Sequence, residues 1–419
     1  MHTTSRGEAL LGQLAHAMRP SLPVGITPQY FDGFIKRNRP ALVQSLNTFL
    51  QTRDQPPSPK RSTPRPPGRQ PEALRPQQPG PQAQQPGSSA AAPEHWTPAK
   101  RTEANIQAMQ VAANIGAASM TPGDRAILAQ YSGWGGLSIK KAASRFPTGF
   151  PVPESQGLIH EYYTPSKVTR EVARVITPLL PGLERDGQIL ALEPAAGIGR
   201  FLQATQLPAF NKVRWNVVEY SKLSALMLAA LRADLAVSQG SFEAWVTHHG
   251  HEVQGQISLI LTNPPYGPRG GSITDDPDRS YREKMAYAYF LRRGLDLLAE
   301  GGLGVYLIPA GFLSGRGKKS RQLRETILKR HHLASAYRLP SKLFPGANLV
   351  TDLLFFRARG GELDEVDPGD EFILDGLYFK DFPRHILGKE VGKDKGEDDQ
   401  TKLPRWGYAV HLLEKLYGR

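Results

Sequence analysis

The 419-residue chain contains no cysteine. This absence excludes disulfides and thiolate metal ligands, so we expect no metal site, and it fits a reducing, cytoplasmic location. No run of 18 or more apolar residues occurs, which argues against a membrane-spanning helix. Residues 1–20 also lack the apolar core and cleavage site of a secretion signal. Acidic residues are outnumbered, 39 against 52 lysines and arginines, and the net charge of +13 favours a polyanionic partner, most simply nucleic acid.

Composition and periodicity divide the chain into five regions. Thirteen of the 36 prolines lie between residues 51 and 100, where too little apolar surface is present to offset the entropy of ordering. The predicted regions are a small helical module at 1–50, a disordered Pro/Gln-rich linker at 51–97, a helical region with a Gly-Trp-Gly-Gly turn at 98–150, the main domain at 151–358 and a C-terminal extension at 359–419. We interpret the Gly-Trp-Gly-Gly turn, within Tyr131 to Leu137, as a packing turn.

From residue 188 onward, short apolar segments alternate with helical patterns. Predicted strands cover 188–193, 213–218, 235–238, 257–261 and 304–308, and two late segments, 333–339 and 350–356, are expected to pair at a sheet edge. Predicted helices include 123–130, 165–176, 281–300 and 315–330. This alternation indicates an α/β fold with a doubly wound, mostly parallel sheet, preceded by helical N-terminal regions.

The segment Thr262-Asn263-Pro264-Pro265-Tyr266 follows the predicted strand at 257–261. The Asn-Pro step ends the strand, and two prolines stiffen the backbone. An amide side chain, a backbone carbonyl and an aromatic ring are thereby held at the carboxyl edge of the sheet, where open α/β sheets bind ligands. An ordinary strand-to-loop turn with a surface tyrosine is the structural alternative.

A loop of small residues follows the predicted strand that ends at Glu193. The loop carries Gly197 and Gly199, which allow a ligand to approach the backbone closely. Glu219 lies about twenty residues further on, at the end of the next strand, where a carboxylate can accept hydrogen bonds from ribose hydroxyls. Because the third glycine of the dinucleotide fingerprint is absent, the pattern favours a nucleoside cofactor, and S-adenosylmethionine is the obvious candidate.

Another candidate cofactor segment lies upstream, at Tyr163-Thr164-Pro165. Thr164 is predicted to cap the helix that follows, with Pro165 as its first residue. Such a helix N-terminus can receive a carboxylate. Plain helix capping is the alternative.

Together these segments resemble the motifs of amino-methylating DNA methyltransferases. The stretch from Glu193 to Leu202 resembles their first cofactor motif, and Asn263 to Tyr266 resembles their catalytic tetrapeptide. Tyr163-Thr164-Pro165 is similar to the remaining cofactor motif, in the order of the gamma class. The segments 131–137, 344–356 and 378–388 resemble parts of phage- and plasmid-borne methylase–helicase proteins, so the resemblance covers roughly residues 100 to 400.

The resemblance implies a Rossmann-like, S-adenosylmethionine-dependent enzyme that methylates the N6 amino group of adenine in flipped-out DNA bases. Asn263 and the Pro264 carbonyl would accept hydrogen bonds from the amino group, with Pro265 stiffening the loop and Tyr266 stacking on the base. The residues implied in cofactor binding are Tyr163, Thr164, Glu193, Pro194, Ala195, Gly197, Gly199, Glu219 and Phe242. Cytosine N4 is the closest rival target, whereas cytosine C5 chemistry needs a cysteine that this chain lacks.

A basic segment, Gly311 to Lys342, carries nine lysines and arginines against one acid. We interpret it as a phosphate-contacting surface rather than only a solvated helix face. The candidate contacts are Arg316, Lys318, Lys319, Arg321 and Arg324. The expected partner is DNA, and the expected setting is a restriction–modification system or a mobile element. In such a setting a helicase or nuclease on a separate chain is a further expected partner. Methylation of a protein amide or an RNA base, and a degenerate DNA-binding module, are the alternatives.

Overall fold

A computed structural model describes residues 96–116, 119–148, 161–268, 276–341, 343–347, 349–360 and 365–387, together with eight positions before residue 50. The chain forms two compact units, Met1–Ala92 and Pro93–Arg419. All eight early positions are helical: Glu8, Leu11, Gly12, Asp32, Ile35, Lys36, Arg39 and Val43. Nearly all of the predicted linker lies outside the described residues. So do residues 388–399, whose alternating charges predict a solvated loop, and residues 408–416, whose apolar residues predict a short closing helix.

Within the described residues, seven strands form one sheet in the order β3-β2-β1-β4-β5-β7-β6. They are β1 Ile189–Glu193, β2 Val213–Glu219, β3 Val237–Gln239, β4 Ile257–Thr262, β5 Leu298–Pro309, β6 His331–Arg338 and β7 Thr351–Ala358. The first five strands are parallel, and β7 runs antiparallel between β5 and β6. This arrangement confirms the predicted doubly wound, mostly parallel sheet.

Helices connect and cover the strands. They are α1 Pro98–Ala113, α2 Pro122–Ala129, α3 Ile139–Ala142, α4 Ser166–Ile176, α5 Leu180–Leu183, α6 Arg200–Ala204, α7 Lys222–Leu231, α8 Phe242–Val253, α9 Ala286–Leu295, α10 Gly311–Ser314, α11 Lys318–Leu328 and α12 Tyr378–Asp381. In the described part of the chain, six short 3-10 turns lie at Ala143–Arg145, Thr177–Leu179, Pro208–Phe210, Arg279–Tyr281, Glu371–Ile373 and Pro383–His385.

The predicted helix at 281–300 is wrong in its extent. A 3-10 turn ends at Tyr281, α9 covers only Ala286–Leu295, and β5 has already begun at Leu298. Leu298 pairs with Ile257 of β4, so sheet pairing overrides the helical preference of this Leu- and Ala-containing stretch. The strand predicted at 304–308 is accordingly longer than expected.

Both faces of the sheet are buried, as parallel strands require. Leu192, Ile260 and Tyr306 face one hydrophobic cluster, and the neighbouring residues Leu259 and Val305 face another. The first cluster also takes in Ile373, Leu374, Tyr378 and Phe379. The described part of the predicted C-terminal extension therefore packs on the sheet as part of the main core.

The helical region before the sheet packs at the carboxyl end of β1. Ile106 and Met109 of α1 share a cluster with Trp134, Ile198 and Met227. Ile198 belongs to the loop after β1, and Met227 belongs to α7, which follows β2. The predicted region at 98–150 is thus placed beside the two loops that carry the candidate cofactor residues.

Candidate active site

Three candidate residues follow neighbouring strands of the sheet. β1 pairs with β2 on one side and with β4 on the other. Glu193 ends β1, Glu219 ends β2 and Asn263 follows β4. Because these strands are parallel, their carboxyl ends lie at the same edge, and the strand order reverses between β1 and β4. This is the switch point at which open α/β sheets bind ligands.

Glu219 joins the end of β2 to the glycine loop. Its two carboxylate oxygens accept hydrogen bonds of 2.6 Å from the backbone nitrogens of Gly197 and Ser221. Burial raises the pKa of this carboxyl to about 7, although both backbone bonds favour the charged form. Each carboxylate oxygen keeps acceptor capacity for a further donor, such as a ribose hydroxyl.

The loop after β1 depends on two glycines with positive φ. Gly197 has φ of 55° and Gly199 has φ of 80°, a region that side chains rarely adopt. A Cβ at Gly197 would lie 2.4 Å from the ring of Tyr163, and one at Gly199 would lie 2.4 Å from the side chain of Leu228. Tyr163 therefore lies directly against the glycine loop. Pro194 is buried and Ala195 half-buried in the same loop.

The predicted cap at Thr164 is wrong. Helix α4 begins at Ser166, its N-cap is Pro165, and no side chain caps it. Thr164 is instead buried, and the backbone nitrogens of Val168 and Thr169 donate to the carbonyl of Pro165. The helix start is close to the predicted position, but the threonine hydroxyl does not cap it because Thr164 precedes the N-cap.

Asn263 has a fixed side-chain orientation. Its amide nitrogen donates to the carbonyl of Tyr162 at 3.1 Å, which leaves the amide oxygen as the acceptor. The hydroxyl of Tyr266 lies 2.6 Å from this oxygen and 3.0 Å from the carbonyl of Leu307 on β5. Burial raises the pKa of the Tyr266 hydroxyl far above its usual value, so this group stays protonated. Pro264 is buried, whereas Pro265 is exposed.

Two further carboxyl groups belong to this edge of the sheet. The pKa of Glu193 is raised to about 8 and that of Glu161 to about 8, mainly by burial and in part by the charge of Glu219. Three electrostatically coupled carboxyl groups in a buried site favour a cationic ligand. S-adenosylmethionine, with its sulfonium, its ammonium and its ribose hydroxyls, fits this set of groups.

Glu161 is a site residue that the sequence motifs did not reveal. One oxygen of its carboxylate accepts from the hydroxyl of Tyr131 at 2.9 Å and from the backbone nitrogen of Trp134 at 3.4 Å. The other accepts from the hydroxyl of Ser224 at 3.4 Å, and this hydroxyl lies 2.9 Å from that of Tyr163. The only sequence signal was its position immediately before the Tyr-Tyr-Thr-Pro segment.

Phe242, a predicted cofactor contact, packs in the core of the sheet. Its ring is buried, with ring centroids 5.0 Å from Phe290, 5.9 Å from Tyr289 and 6.1 Å from Trp245. This aromatic cluster belongs to the main core of the sheet. Phe242 begins α8, directly after Ser241, whose side chain caps that helix.

One predicted DNA contact is contradicted. Arg324 is fully buried, and its guanidinium donates to the carbonyls of Phe312, Gly315 and Leu374. It therefore fixes α11 against the core and cannot reach a phosphate. The other four candidates are exposed: Arg316, Lys318, Lys319 and Arg321. Arg321 also forms an ion pair with Asp375.

Comparison with known proteins agrees with the motifs. A family profile described as "Eco57I restriction-modification methylase" matches residues 205–344. The chain is 26% identical over 299 residues to the "Defense against restriction protein B" of Escherichia phage P1, which covers 70% of this chain and 12% of that protein. It is also 26% identical over 281 residues to the "Type I restriction enzyme EcoEI methylase subunit" of Escherichia coli, covering 61% of this chain and 52% of that subunit.

Among solved structures, the chain is similar to a putative class I S-adenosylmethionine-dependent methyltransferase from Listeria monocytogenes. The TM-score is 0.43 at 16% identity, with 64% of this chain and 91% of that chain covered. Among the described residues, no helix is long and apolar enough to cross a membrane. The chain spans about half the length of the EcoEI subunit and about an eighth of the phage protein. In sequence, therefore, it is similar to the methylases of restriction–modification systems and to a phage protein of defence against restriction.

Proposed function

We propose that the chain is an S-adenosylmethionine-dependent DNA methyltransferase that acts on the N6 amino group of adenine in a flipped-out base. The observation that carries the proposal is the fixed Asn263 amide at the carboxyl end of β4, next to the glycine loop after β1. The similarity to restriction–modification methylases supports DNA as the substrate. The tetrapeptide at residues 263–266 begins with asparagine, which supports adenine as the target base.

Asn263 orients the amino group that is methylated. Such an amine is a poor nucleophile, because its lone pair is delocalised into the ring. Two acceptors, the Asn263 amide oxygen and the Pro264 carbonyl, would bind its two hydrogens and favour the geometry in which the lone pair is free. The amide nitrogen is held by the Tyr162 carbonyl, so the acceptor is oriented before substrate arrives. Catalysis then rests on positioning and electrostatics, without a covalent enzyme intermediate.

The cofactor side of the site is built by Glu219, Gly197 and Tyr163. S-adenosylmethionine supplies an electrophilic methyl group on a positively charged sulfur. Glu219 would accept from the ribose hydroxyls while its bonds to Gly197 and Ser221 keep it in place. The raised pKa values of Glu193 and Glu219 match a pocket that gains stability when a cation enters.

Tyr266 holds the base in this proposal. Its hydroxyl donates to the Asn263 oxygen, so the substrate amine must either share that oxygen with the hydroxyl or displace it. A rotation of Tyr266 would release the acceptor and offer the ring for stacking on the flipped base. Extrusion of a base from a duplex costs a few kcal/mol, which stacking helps to offset.

The exposed cations Arg316, Lys318, Lys319 and Arg321 are the proposed phosphate contacts. They lie on α11 and the loop before it, shortly after β5, whose carboxyl end lies at the same edge as Asn263. A helicase or nuclease on a separate chain remains part of the proposal for partners, since type I methylase subunits are among the similar proteins.

The deciding experiment is mass spectrometry of nucleosides from DNA of a host that expresses the chain. N6-methyladenine should appear with the wild type and disappear with Asn263→Ala. N4-methylcytosine would overturn the adenine assignment. Unmodified DNA together with an Asn263-dependent methylated protein or RNA would overturn the DNA assignment.

A further inference from the structure

The Gly-Trp-Gly-Gly turn is packed against the cofactor segment by its glycines. A Cβ at Gly133 would lie 2.4 Å from the carbonyl oxygen of Glu161, and one at Gly135 would lie 2.6 Å from the ring of Tyr162. The nitrogen of Gly135 donates to that same Glu161 carbonyl at 3.1 Å. No side chain fits between the turn and the segment, so the two backbones are in direct contact.

Side chains of α1 bind the backbone of the turn. The buried guanidinium of Arg101 donates to the carbonyls of Gly133 and Gly135 at 3.2 and 3.1 Å. Asn105 donates to the carbonyl of Gly133 at 2.8 Å and accepts from the nitrogen of Ser132 at 2.8 Å. Polar side chains of α1 thus fix the backbone of the turn.

Hydrogen bonds link this turn to Tyr163, whose ring lies against the glycine loop. Tyr131 and Trp134 donate to one oxygen of Glu161, and Ser224 donates to the other. The hydroxyl of Tyr163 lies 2.9 Å from that of Ser224. The ring of Tyr163 in turn occupies the position that a Cβ of Gly197 would need.

We infer that Glu161 is a positioning residue of the cofactor pocket, which orients Tyr163 over Gly197 through Ser224 and is itself held by the Tyr131 to Gly136 turn. This inference rests on the proposed function, because it requires that the cofactor lies against Gly197 and Glu219. The charged carboxylate suits the role, since it accepts from all three donors at once. A protonated Glu161 carries a hydrogen of its own and must give up part of this network.

The charge state of Glu161 should therefore affect cofactor affinity. The titratable and charged groups around it are Tyr131 from the turn, Tyr163 from its own segment, Glu219 from β2 and, through Tyr163, Arg200 from α6. With a ligand-free pKa of about 8, Glu161 is largely protonated at neutral pH. A cationic cofactor favours the carboxylate, so binding releases a proton and affinity rises as pH rises toward 8.

The experiment is titration calorimetry of the full chain with S-adenosylmethionine between pH 6.5 and 8.5, in buffers of different ionisation enthalpy. Glu161→Gln should weaken binding about tenfold at pH 8, by analogy with the loss of a supporting partner at other ligand sites. It should also reduce the number of protons released and flatten the rise in affinity. Glu171→Gln, the same change at an exposed ion pair on α4, is the matched control and should behave as the wild type.

Tyr131→Phe and Ser224→Ala each remove one donor to Glu161. They test the network even if Glu161→Gln folds poorly. Each should weaken binding, and Glu161→Gln combined with Ser224→Ala should cost less than the sum of the two changes. If the wild type binds and both Glu161→Gln and Ser224→Ala retain its affinity and proton release, the positioning role is refuted while the proposed function stands. If the wild type itself does not bind, the proposed function fails and this role fails with it.

Discussion

The backbone nitrogen of Gly197 donates to the carboxylate of Glu219 across 2.6 Å. This bond joins the loop after β1 to the end of β2, so the two proposed halves of the cofactor site form one hydrogen-bonded unit. In the proposed function Glu219 therefore has two tasks: it holds the loop, and it binds the ribose. Substitutions at this position can separate them.

Glu219→Ala should weaken S-adenosylmethionine binding about tenfold or more, the cost of losing hydrogen bonds to a charged group. Thermal stability should change much less, because the substitution also removes the desolvation of a buried acid. Calorimetry measures the first effect and thermal unfolding the second. Glu184→Ala, which removes an exposed partner of Lys212, is the control. Equal cofactor affinity in Glu219→Ala and the wild type would contradict the ribose role.

Asn263→Ala should slow methyl transfer about a hundredfold, the usual cost of removing one preorganised polar group. Cofactor affinity should stay within a few-fold, because the proposed role of Asn263 is to bind the amino group of the base. Tyr266→Phe should retain most activity, since the ring suffices for stacking and the Asn263 oxygen loses a competing donor. Single-turnover assays with labelled cofactor measure all three. Loss of activity in Tyr266→Phe as large as in Tyr266→Ala would show that the hydroxyl takes part in the reaction.

Stability of the ligand-free protein should fall as pH rises from 7 to 8.5. The folded pKa values of Glu161, Glu193 and Glu219 lie at about 8, 8 and 7, against an ordinary value of 4.5. The folded chain therefore holds protons that the unfolded chain has released, and the stability present at low pH is lost as these groups ionise. Thermal unfolding at both pH values measures the difference, which should shrink in Glu193→Gln. An unchanged difference in that variant would refute the assignment for Glu193.

Neutralising Lys318 and Lys319 together should weaken DNA binding and flatten its salt dependence by roughly one unit for each phosphate that is no longer neutralised. Arg324→Met should instead lower stability, because it leaves the carbonyls of Phe312 and Leu374 without their donor. DNA titrations at several salt concentrations and urea unfolding distinguish the two effects. An unchanged salt slope in the lysine variant would rule out that surface as a phosphate contact.

Gly136→Ala should destabilise the protein more than Gly187→Ala. Both glycines have positive φ, 73° and 80°, so both substitutions carry a similar backbone strain of about 1 kcal/mol. A Cβ at Gly136 would also lie 2.7 Å from the Cα of Gly346, whereas nothing lies within 4 Å of one at Gly187. Urea unfolding of both variants provides the comparison. Equal losses of stability would mean that the backbone around Gly136 and Gly346 yields easily.

The sheet was predictable because its strands are short apolar runs bounded by turn residues. The end of α9 was not predictable from the local sequence, because Leu298 joins β5 through its pairing with Ile257 of β4. The site motifs were predictable for a related reason: Glu193, Glu219 and Asn263 each end a strand or follow one directly. Parallel strands in neighbouring positions then bring them to one edge without further information.

Glu161 and Arg324 show where sequence patterns fail. The partners of Glu161 lie 30 residues before it, at Tyr131, and 63 residues after it, at Ser224, so no local pattern reveals them. Arg324 has the charge of a phosphate contact, but it lies three and four residues before the buried Ile327 and Leu328. That spacing put it on the buried face of α11, a signal the charge count overlooked.

The contact between Arg101 and Pro345 spans 244 residues of chain. Contacts this distant in sequence require a large loop to close before they add stability, so they form late in folding. As the chain is synthesised, the turn around Trp134 emerges long before the loop at Gly346 against which Gly136 packs. We therefore expect the nascent protein to remain without a complete active site until β6 and the loop after it have left the ribosome.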